Sequence, residues 1–464
     1  MIRLSNPYIP NTGQVKEEML KEIGFDNIEE LFSDIPKEIR LNRKLDIPKL
    51  SELELDRHMK FTLSKNSPYT RAISFLGGGV WPHYVPAHVR EIVRRSEFLT
   101  SYTPYQAEAS QGMLQALFEY QSFISELTGL EVSNASTYDW ASALGEAALM
   151  TTRITKRDKF LVPEFISPPR LSVLKNYATP AGIEIVKIPQ DHSTGQIDLS
   201  KLEEKISEDT AGVYIENPSY LGFLETQPNK IADITREENA LFVVGVNPIS
   251  LGLLKPPGDY GADIVVGEGQ PLGNPVSFGG PALGIFACRG ERKFIRQLPG
   301  RLIGMTTEEE GKTRGFSMVL QTREQHIRRE RATSSICTNQ SLCAVAAAVY
   351  LASLGPSGLR DLAKSCAGSA QYAMEKLNSL NDVKAPIFDA PHFNEFTVSL
   401  DESSISTEEA ASKLLSRGIH AGKPIDGEFP ELENASLWCT TELHSKEDID
   451  WLVTSLKEIL EGTE

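Results

Sequence analysis

Five cysteines in 464 residues is few, and none belongs to a CxxC pair. Cys288, Cys337, Cys343, Cys366 and Cys439 are scattered and odd in number, which argues against a disulfide framework or a cysteine-held zinc and for a reducing compartment. The chain has no GxxxxGK[ST] phosphate loop, and its eight histidines show no HExxH spacing. GGG at 77–79 follows no clear strand and lacks the third glycine of a dinucleotide fingerprint, so no nucleotide site of that kind is expected. Basic charge is also short. Lys and Arg number 47 against 63 Asp and Glu, a formal charge of -16, which argues against nucleic acid or an anionic membrane as partner. No apolar run approaches the roughly 18 residues of a membrane span, and MIRLSNPYIPNTG has no apolar core of a signal peptide. These absences predict a soluble cytoplasmic protein of two or three domains.

What is present is an alternation. FLVPE, EIVKIP, GVYIEN, LFVVGV and DIVVGE are short Val/Ile-rich strands, with helical stretches such as DLSKLEEKI and NKIADITREEN between several of them. That order predicts a mostly parallel seven-stranded sheet covered on both faces, with ALGIFACR (282–289) as an antiparallel neighbour. Before it, Thr12 caps a helix through VKEEMLKEIG, NIEELFSDI makes a short amphipathic turn, and GMLQALFEYQSFISELTG gives a helix that Gly129 stops. After it come a long helix near 338–354, helix 356–380, a strand in HFNEFTVSL, helix 407–417, a strand in ASLWCT, and a final helix with a Ser445/Asp448 capping box. The expected division is an N-terminal helical segment (1–70), a large α/β domain (71–345) and a small C-terminal α/β domain (346–464).

A large seven-stranded α/β domain with a smaller C-terminal one suggests the aminotransferase-like fold type I of pyridoxal-phosphate enzymes. Such an enzyme needs a lysine on the loop after a late strand for the Schiff base. It needs a carboxylate at the end of an earlier strand to keep the pyridine nitrogen protonated, and a helix N-terminus for the phosphate. The helix start is available in SNASTYDWASALGEAALM, with Ser133, Asn134, Ser136 and Ser142. The carboxylate should end LFVVGVN, where Gly245 stands. The lysine should lie in GADIVVGEGQPLGNPVSFGGPALG (261–284), a loop with seven glycines, yet none occurs between Lys255 and Lys293. Lys255 itself precedes the strand. Two of three groups are missing.

Three stretches carry a resemblance. SFLGGGVWPHYVPAHVREIVRRSEFLTSYTPYQAEASQGMLQALFEYQSFISELTGLEVSNAS (74–136), TREQHIRRERATSSICTNQSLCA (322–344) and MLKEIGFDNIEELFSDIP (19–36) closely resemble the glycine-decarboxylase P-protein of the glycine cleavage system. The opening of 261–284 fits too, with Gln270 near where a lysine is sought. That family exists as one long chain of two homologous halves or as two subunits; the length and missing lysine match the first, alpha, subunit of the split form. The resemblance implies decarboxylation of glycine on pyridoxal phosphate, with the aminomethyl group passed to the lipoyl arm of H-protein. It also implies a beta partner, subunit 2, that carries the cofactor on its own lysine, and suggests an alpha2beta2 heterotetramer. No cofactor is then expected to bind this chain covalently, and no metal.

In this fold one subunit often completes its neighbour's pocket, which makes two segments candidates. YTPYQAEASQ (102–111) offers Tyr102 and Tyr105 as an apolar wall with polar tips, and Gln106 and Glu108 as hydrogen-bonding groups; the alternative is that they pack a loop. TREQHIRRERATSSICT offers Arg323, Arg331, Thr333 and Ser334 for the cofactor phosphate or the glycine carboxylate; the alternative is a charged surface face, favoured for Arg328 and Arg329. His83 beside the GGG loop is a further candidate, for proton transfer. Two competing readings are a non-catalytic scaffold or regulator of the same fold, and a self-sufficient enzyme using Lys255.

Overall fold

The computed structural model describes residues 12–66, 68, 72–101, 104–308, 311–336, 339–401 and 403–462, in two compact units, 1–67 and 68–464. In the first unit, α1 (Gly13–Glu22) is capped by Thr12, whose hydroxyl accepts from Val15 N at 3.4 Å. A 3-10 turn at Ile28–Phe32 is capped by Asn27. The helix α2 (Glu52–Leu63) opens on a Ser51/Glu54 capping box.

The second unit is built on one sheet of seven strands. In chain order they are β1 (Val132–Ser133), β2 (Lys159–Pro163), β3 (Glu184–Ile188), β4 (Thr210–Glu216), β5 (Leu241–Val246), β6 (Ile264–Glu268) and β7 (Gly284–Cys288), arranged β1-β7-β6-β5-β4-β2-β3. Neighbours from β3 to β6 are parallel. β7 runs antiparallel to both β6 and β1, as the close spacing of ALGIFACR predicts.

Every strand residue of β4 to β7 is buried, because helices cover both faces. Alternate residues divide between two cores. Leu161, Val213, Ile215, Phe242, Val244 and Val265 face one core with the helices α4 (Gln111–Thr128) and α9 (Ser341–Asn378), numbered along the chain after α3 (Ala87–Val93). Phe160, Val162, Tyr214, Val243, Ile264 and Val266 face the other with α5 (Trp140–Thr155) and α6 (Pro168–Ala178). The helices α7 (Leu199–Lys205) and α8 (Pro228–Glu237) complete the alternation.

Two features departed from expectation. A hairpin, β8 (Leu302–Thr307) with β9 (Arg314–Val319), follows the sheet, and its half-exposed pattern hid it from a reading based on buried runs. The other is α9, which contains an 18-residue window long and apolar enough by composition to cross a membrane. The expectation of no such run is therefore corrected. Gly355 (φ 62°) and Pro356 break the helix there, and its apolar side chains Cys343, Ala344, Val345 and Ala347 belong to the sheet's core.

Beyond α9 a three-stranded antiparallel sheet forms from β10 (Glu395–Ser399), β11 (Lys423–Pro424) and β12 (Ala435–Cys439), in the order β10-β12-β11. It is covered by α10 (Thr407–Ser416) and α11 (Lys446–Leu460), the latter opened by the expected Ser445/Asp448 box. Ile73–Ser74 pairs in parallel with Ile419–His420, so the chain before the GGG stretch is tied to this C-terminal region.

Candidate functional site

Ligands in open α/β sheets collect at the carboxyl ends of the strands. Here that position is filled by the chain's own side chains. Gly245 stands one residue before the end of β5 because nothing larger fits: a Cβ there would run into the Tyr214 hydroxyl and the Trp140 ring. Trp140 Nε1 donates to Tyr214 Oη at 3.1 Å, and that hydroxyl donates to Glu216 Oε1 at 3.1 Å. Arg170 closes the group. Its guanidinium lies 3.6 Å from the Trp140 ring centroid and 2.5 Å from Glu216. Burial works against the arginine's charge, but Glu216, Tyr214 and Glu395 together outweigh it and leave Arg170 more basic than usual.

The helix start expected to receive a phosphate is capped from within. Asp139 accepts from Ser142 N at 2.7 Å, and Glu268 accepts from Trp140 N at 3.3 Å. Two carboxylates thus hold the end of α5 that an anion would need. The serine-rich approach is also engaged: Ser133 donates to Phe286 O, Asn134 to Pro299 O, and Ser136 accepts from Gln340 N.

Gln270, where a Schiff-base lysine is sought, is a buried clip. Its Oε1 accepts from Trp81 N at 3.3 Å and its Nε2 donates to Asn274 O at 2.6 Å. Glu268 accepts from Gln270 N and Leu283 N at 2.9 and 2.8 Å, and burial pushes its carboxyl up to about 7. The GGG stretch is held over this end by Glu395, which accepts from Gly78 N at 2.6 Å and is likewise pushed up to about 7 by burial. Lys255 is exposed on a turn before β6, away from any such role.

The two candidate segments meet elsewhere. Arg301, 1% exposed, donates from Nη2 to Tyr105 Oη at 2.8 Å and places its guanidinium 4.9 Å from the Tyr105 ring centroid. The ring of His326 makes an edge contact with Tyr105 at 5.6 Å, and His326 Nδ1 lies 3.7 Å from Glu324. Burial raises the Glu324 carboxyl against the pull of Arg301, His326 and Arg323. Arg323 is buried and donates to the carbonyls of Leu298 and Gly300. Thr333 N donates to Arg323 O at 2.9 Å, and Ser334 Oγ accepts from Gly300 N at 3.3 Å. Arg323, Thr333 and Ser334 therefore build one loop junction. Arg331 stands on the surface, 3.9 Å from Glu330. Tyr105 is 40% exposed, Gln106 and Glu108 are exposed, and Tyr102 lies outside the described residues.

His83 is in neither place. It is buried, with Nδ1 2.7 Å from Glu442 Oε2, and Glu442 Oε2 also lies 3.7 Å from Cys366 Sγ. Burial tends to raise the Glu442 carboxyl, but His83 and the backbone N–H of Tyr84 together outweigh it and hold it below the ordinary range. A 2.7 Å separation is that of a hydrogen bond, so this group reads as a tie between the 77–84 loop and the C-terminal region. Arg301, Glu324 and His326 were not singled out from sequence. Arg301 follows a Pro-Gly pair and so looks like a surface turn; nothing in the pattern shows it buried.

A profile of the family described as "Glycine cleavage system P-protein" matches residues 6–456. The chain belongs to that family. A relative from Pyrococcus furiosus called "Probable glycine dehydrogenase (decarboxylating) subunit 1" is 51% identical over 98% of this chain and 99% of its own length. A crystal structure of glycine decarboxylase (P-protein) in inhibitor-bound form superposes with a TM-score of 0.86 at 42% identity, covering 98% of this chain and 100% of that one. A Burkholderia pseudomallei sphingosine-1-phosphate lyase, at 13% identity and a TM-score of 0.67, shares the fold alone. The fold is the aminotransferase-like fold type I of pyridoxal-phosphate enzymes. For the P-protein family that cofactor is the implied one, and the strand ends of this chain do not fit it. Trp140, Arg170 and Tyr214 pack against the end of β5, Gly245 stands where the acid is sought, and Asp139 and Glu268 hold the helix end.

Proposed function

We propose that this chain is the first of two subunits of a split glycine decarboxylase, and that it works as the wall of an active site whose cofactor and Schiff-base lysine belong to subunit 2. The observation that carries this reading is the contrast between a strand end sealed by Trp140, Arg170 and Glu216 and the two polar segments that converge on Arg301. In the complex, Arg301 would hold the Tyr105 hydroxyl and ring at the surface that meets the partner. Arg323 would brace the 298–300 carbonyls and set the path of Thr333 and Ser334. Arg331, free to extend, is suited to a phosphate or carboxylate across the interface. The aminomethyl acceptor is the lipoyl arm of H-protein, the assembly a cytoplasmic alpha2beta2 heterotetramer, and the chain alone inactive; the resemblance to split P-proteins supports each.

Borohydride trapping tests the reading. The chain is incubated with pyridoxal phosphate, alone and with subunit 2, reduced, and mapped by mass spectrometry. The adduct is expected only on a lysine of subunit 2. A specific adduct on Lys255 or another lysine of this chain would overturn the division of labour.

A further inference from the structure

Three groups that ligate metals meet where the loop after the GGG stretch is tied to the C-terminal region. A ring nitrogen of His83, the Cys366 thiol and a Glu442 carboxylate oxygen all lie within 4.8 Å of one another. They come from three separate parts of the second unit: the 77–84 loop, α9 beyond its break at Gly355, and the turn after β12. Ligands so far apart in sequence leave no spacing motif, which is why the sequence gave no sign of a metal. His83 and Cys366 are buried, and the Glu442 side chain is 18% exposed.

Zinc sits about 2.0–2.1 Å from nitrogen and oxygen and about 2.3 Å from sulfur, so the corners of a tetrahedral site lie roughly 3.3–3.7 Å apart. Cys366 Sγ and Glu442 Oε2 are 3.7 Å apart, already at that spacing. His83 Nδ1 and Glu442 Oε2, at 2.7 Å, are closer, as a shared proton requires. An opening of roughly half an ångström exchanges that proton for a metal. Two features permit it. Glu442 is anchored through its other oxygen, which accepts from Tyr84 N at 2.7 Å, so Oε2 can turn. His83 Nε2 is buried without a hydrogen-bond partner among the described residues, so nothing on that side fixes the ring.

The charges balance as well. Glu442 pairs with His83 and with no lysine or arginine among the described residues. A divalent cation held by one thiolate, one carboxylate and one neutral imidazole carries no net charge, so burial does not oppose it as it opposes a lone ion. A sulfur, nitrogen and oxygen set suits zinc, whereas magnesium and calcium take oxygen ligands.

We propose that His83, Cys366 and Glu442 form a site for a zinc-class divalent cation, with the fourth position left to water. On binding, Cys366 gives its thiol proton to solvent and His83 ligates as neutral imidazole. The metal clamps the 77–84 loop, which Gly78 N and Trp81 N already hold over the strand ends, to α9 and the C-terminal sheet. The site is complete within this chain and stands apart from the subunit reading.

Cobalt is the probe. The full-length chain, stripped with a chelator, is titrated with cobalt and then with zinc. One equivalent of cobalt is expected to give the visible absorption of a tetrahedral site with a thiolate-to-cobalt charge-transfer band. Zinc is expected to abolish both and to raise the melting temperature. Cys366→Ser is expected to lose the charge-transfer band. Glu442→Gln, which still accepts from Tyr84 N, is expected to weaken cobalt by more than the roughly 10–100-fold that loss of an outer-shell partner costs. Melting of each variant without metal shows that binding is read on a folded chain; should Cys366→Ser not fold, Glu442→Gln carries the test. No band at one equivalent overturns the site. So does a band that survives Cys366→Ser, which assigns the metal to another cysteine, and so does an unchanged cobalt affinity in Glu442→Gln.

Discussion

The end of β5 and the surface around Tyr105 use the same kinds of side chain, arginine, tyrosine and glutamate, in opposite ways. At β5, Arg170 sits between the Trp140 ring and Glu216, and every group points inward at another group of the same chain. Around Tyr105, Arg301 is just as deeply buried, yet the tyrosine it holds is 40% exposed and the loop beyond it carries exposed Gln106 and Glu108. One arginine closes a ligand's place and the other presents a residue outward. On the proposed reading, a pocket is closed at one end of the fold while a surface for a neighbouring subunit is kept at the other. Four changes test how far the two regions differ.

The largest effect is expected at the closed end. Removing one member of a buried ion pair leaves the other charged and unpaired, which costs ~3–5 kcal/mol, whereas replacing both with apolar groups is often nearly neutral. Arg170→Ala is therefore expected to lower the unfolding free energy by that amount in urea, and Arg170→Met/Glu216→Leu by much less. Neither variant is expected to gain pyridoxal phosphate, since Asp139 and Glu268 still hold the helix end. Equal losses for the single and double variants would mean the group is held by packing alone.

The next effect depends on pH. The Glu395 carboxyl is raised from 4.5 to about 7, chiefly by burial. The folded chain then keeps a proton that the unfolded chain releases, so the contribution is fully present below about 4.5 and is lost as pH rises to about 7. It is worth at most ~3 kcal/mol. Glu395→Gln retains an oxygen for Gly78 N and is expected to flatten the fall in stability across this window. An unchanged slope in the variant would assign the titration to another carboxyl, such as Glu268.

How much of this was legible beforehand follows from the physics of each part. The sheet was readable because strands buried on both faces must be runs of Val and Ile, as in LFVVGV and DIVVGE. Gly245 and the absent lysine were readable as gaps in a required set. What fills the gap was not. Trp140, Arg170, Tyr214 and Glu216 come from a helix start, another helix and a strand, and no local pattern announces that they meet. The serines of 133–142 suggested an anion site because side-chain oxygens suit a helix start. Asp139 and Glu268 suit it as well, and only the structure distinguishes a cap from a ligand. Tyr105 and Arg323 were singled out because one sits on a polar, proline-stiffened loop and the other among arginines that stand out in an acidic chain. Arg301 was not, because burial of a single arginine after a turn leaves no periodic trace.

At the open surface the expected effect on stability is smaller and the effect on activity is the measure. Tyr105→Phe removes the hydroxyl that accepts from Arg301, a bond to a charged group worth roughly 1.5–3 kcal/mol. If the ring faces the partner's active site, kcat of the reconstituted complex is expected to fall about tenfold, by up to ~1.4 kcal/mol in the barrier. Arg301→Lys is expected to reproduce the loss, because an ammonium cannot keep both the fork and the stack over the ring. A fall in stability with unchanged kcat would place Tyr105 in the loop's packing only.

The smallest structural effect belongs to Arg331, and this makes it the sharpest probe. Its pair with Glu330 is 3.9 Å long and about four-fifths exposed on both sides, a geometry worth no more than ~0.5 kcal/mol. Arg331→Ala is therefore expected to leave the melting of the chain and the formation of the complex unchanged. Any rise in the KM for glycine, or loss of cofactor affinity in the complex, then reads a contact made across the interface and nothing else. Thr333 and Ser334 cannot give so clean an answer, because they already tie Arg323 and Gly300 together within the chain. If Arg331→Ala changes neither constant, Arg331 makes no contact with substrate or cofactor, and its proposed role across the interface is lost while the Tyr105 contact to Arg301 stands on its own test.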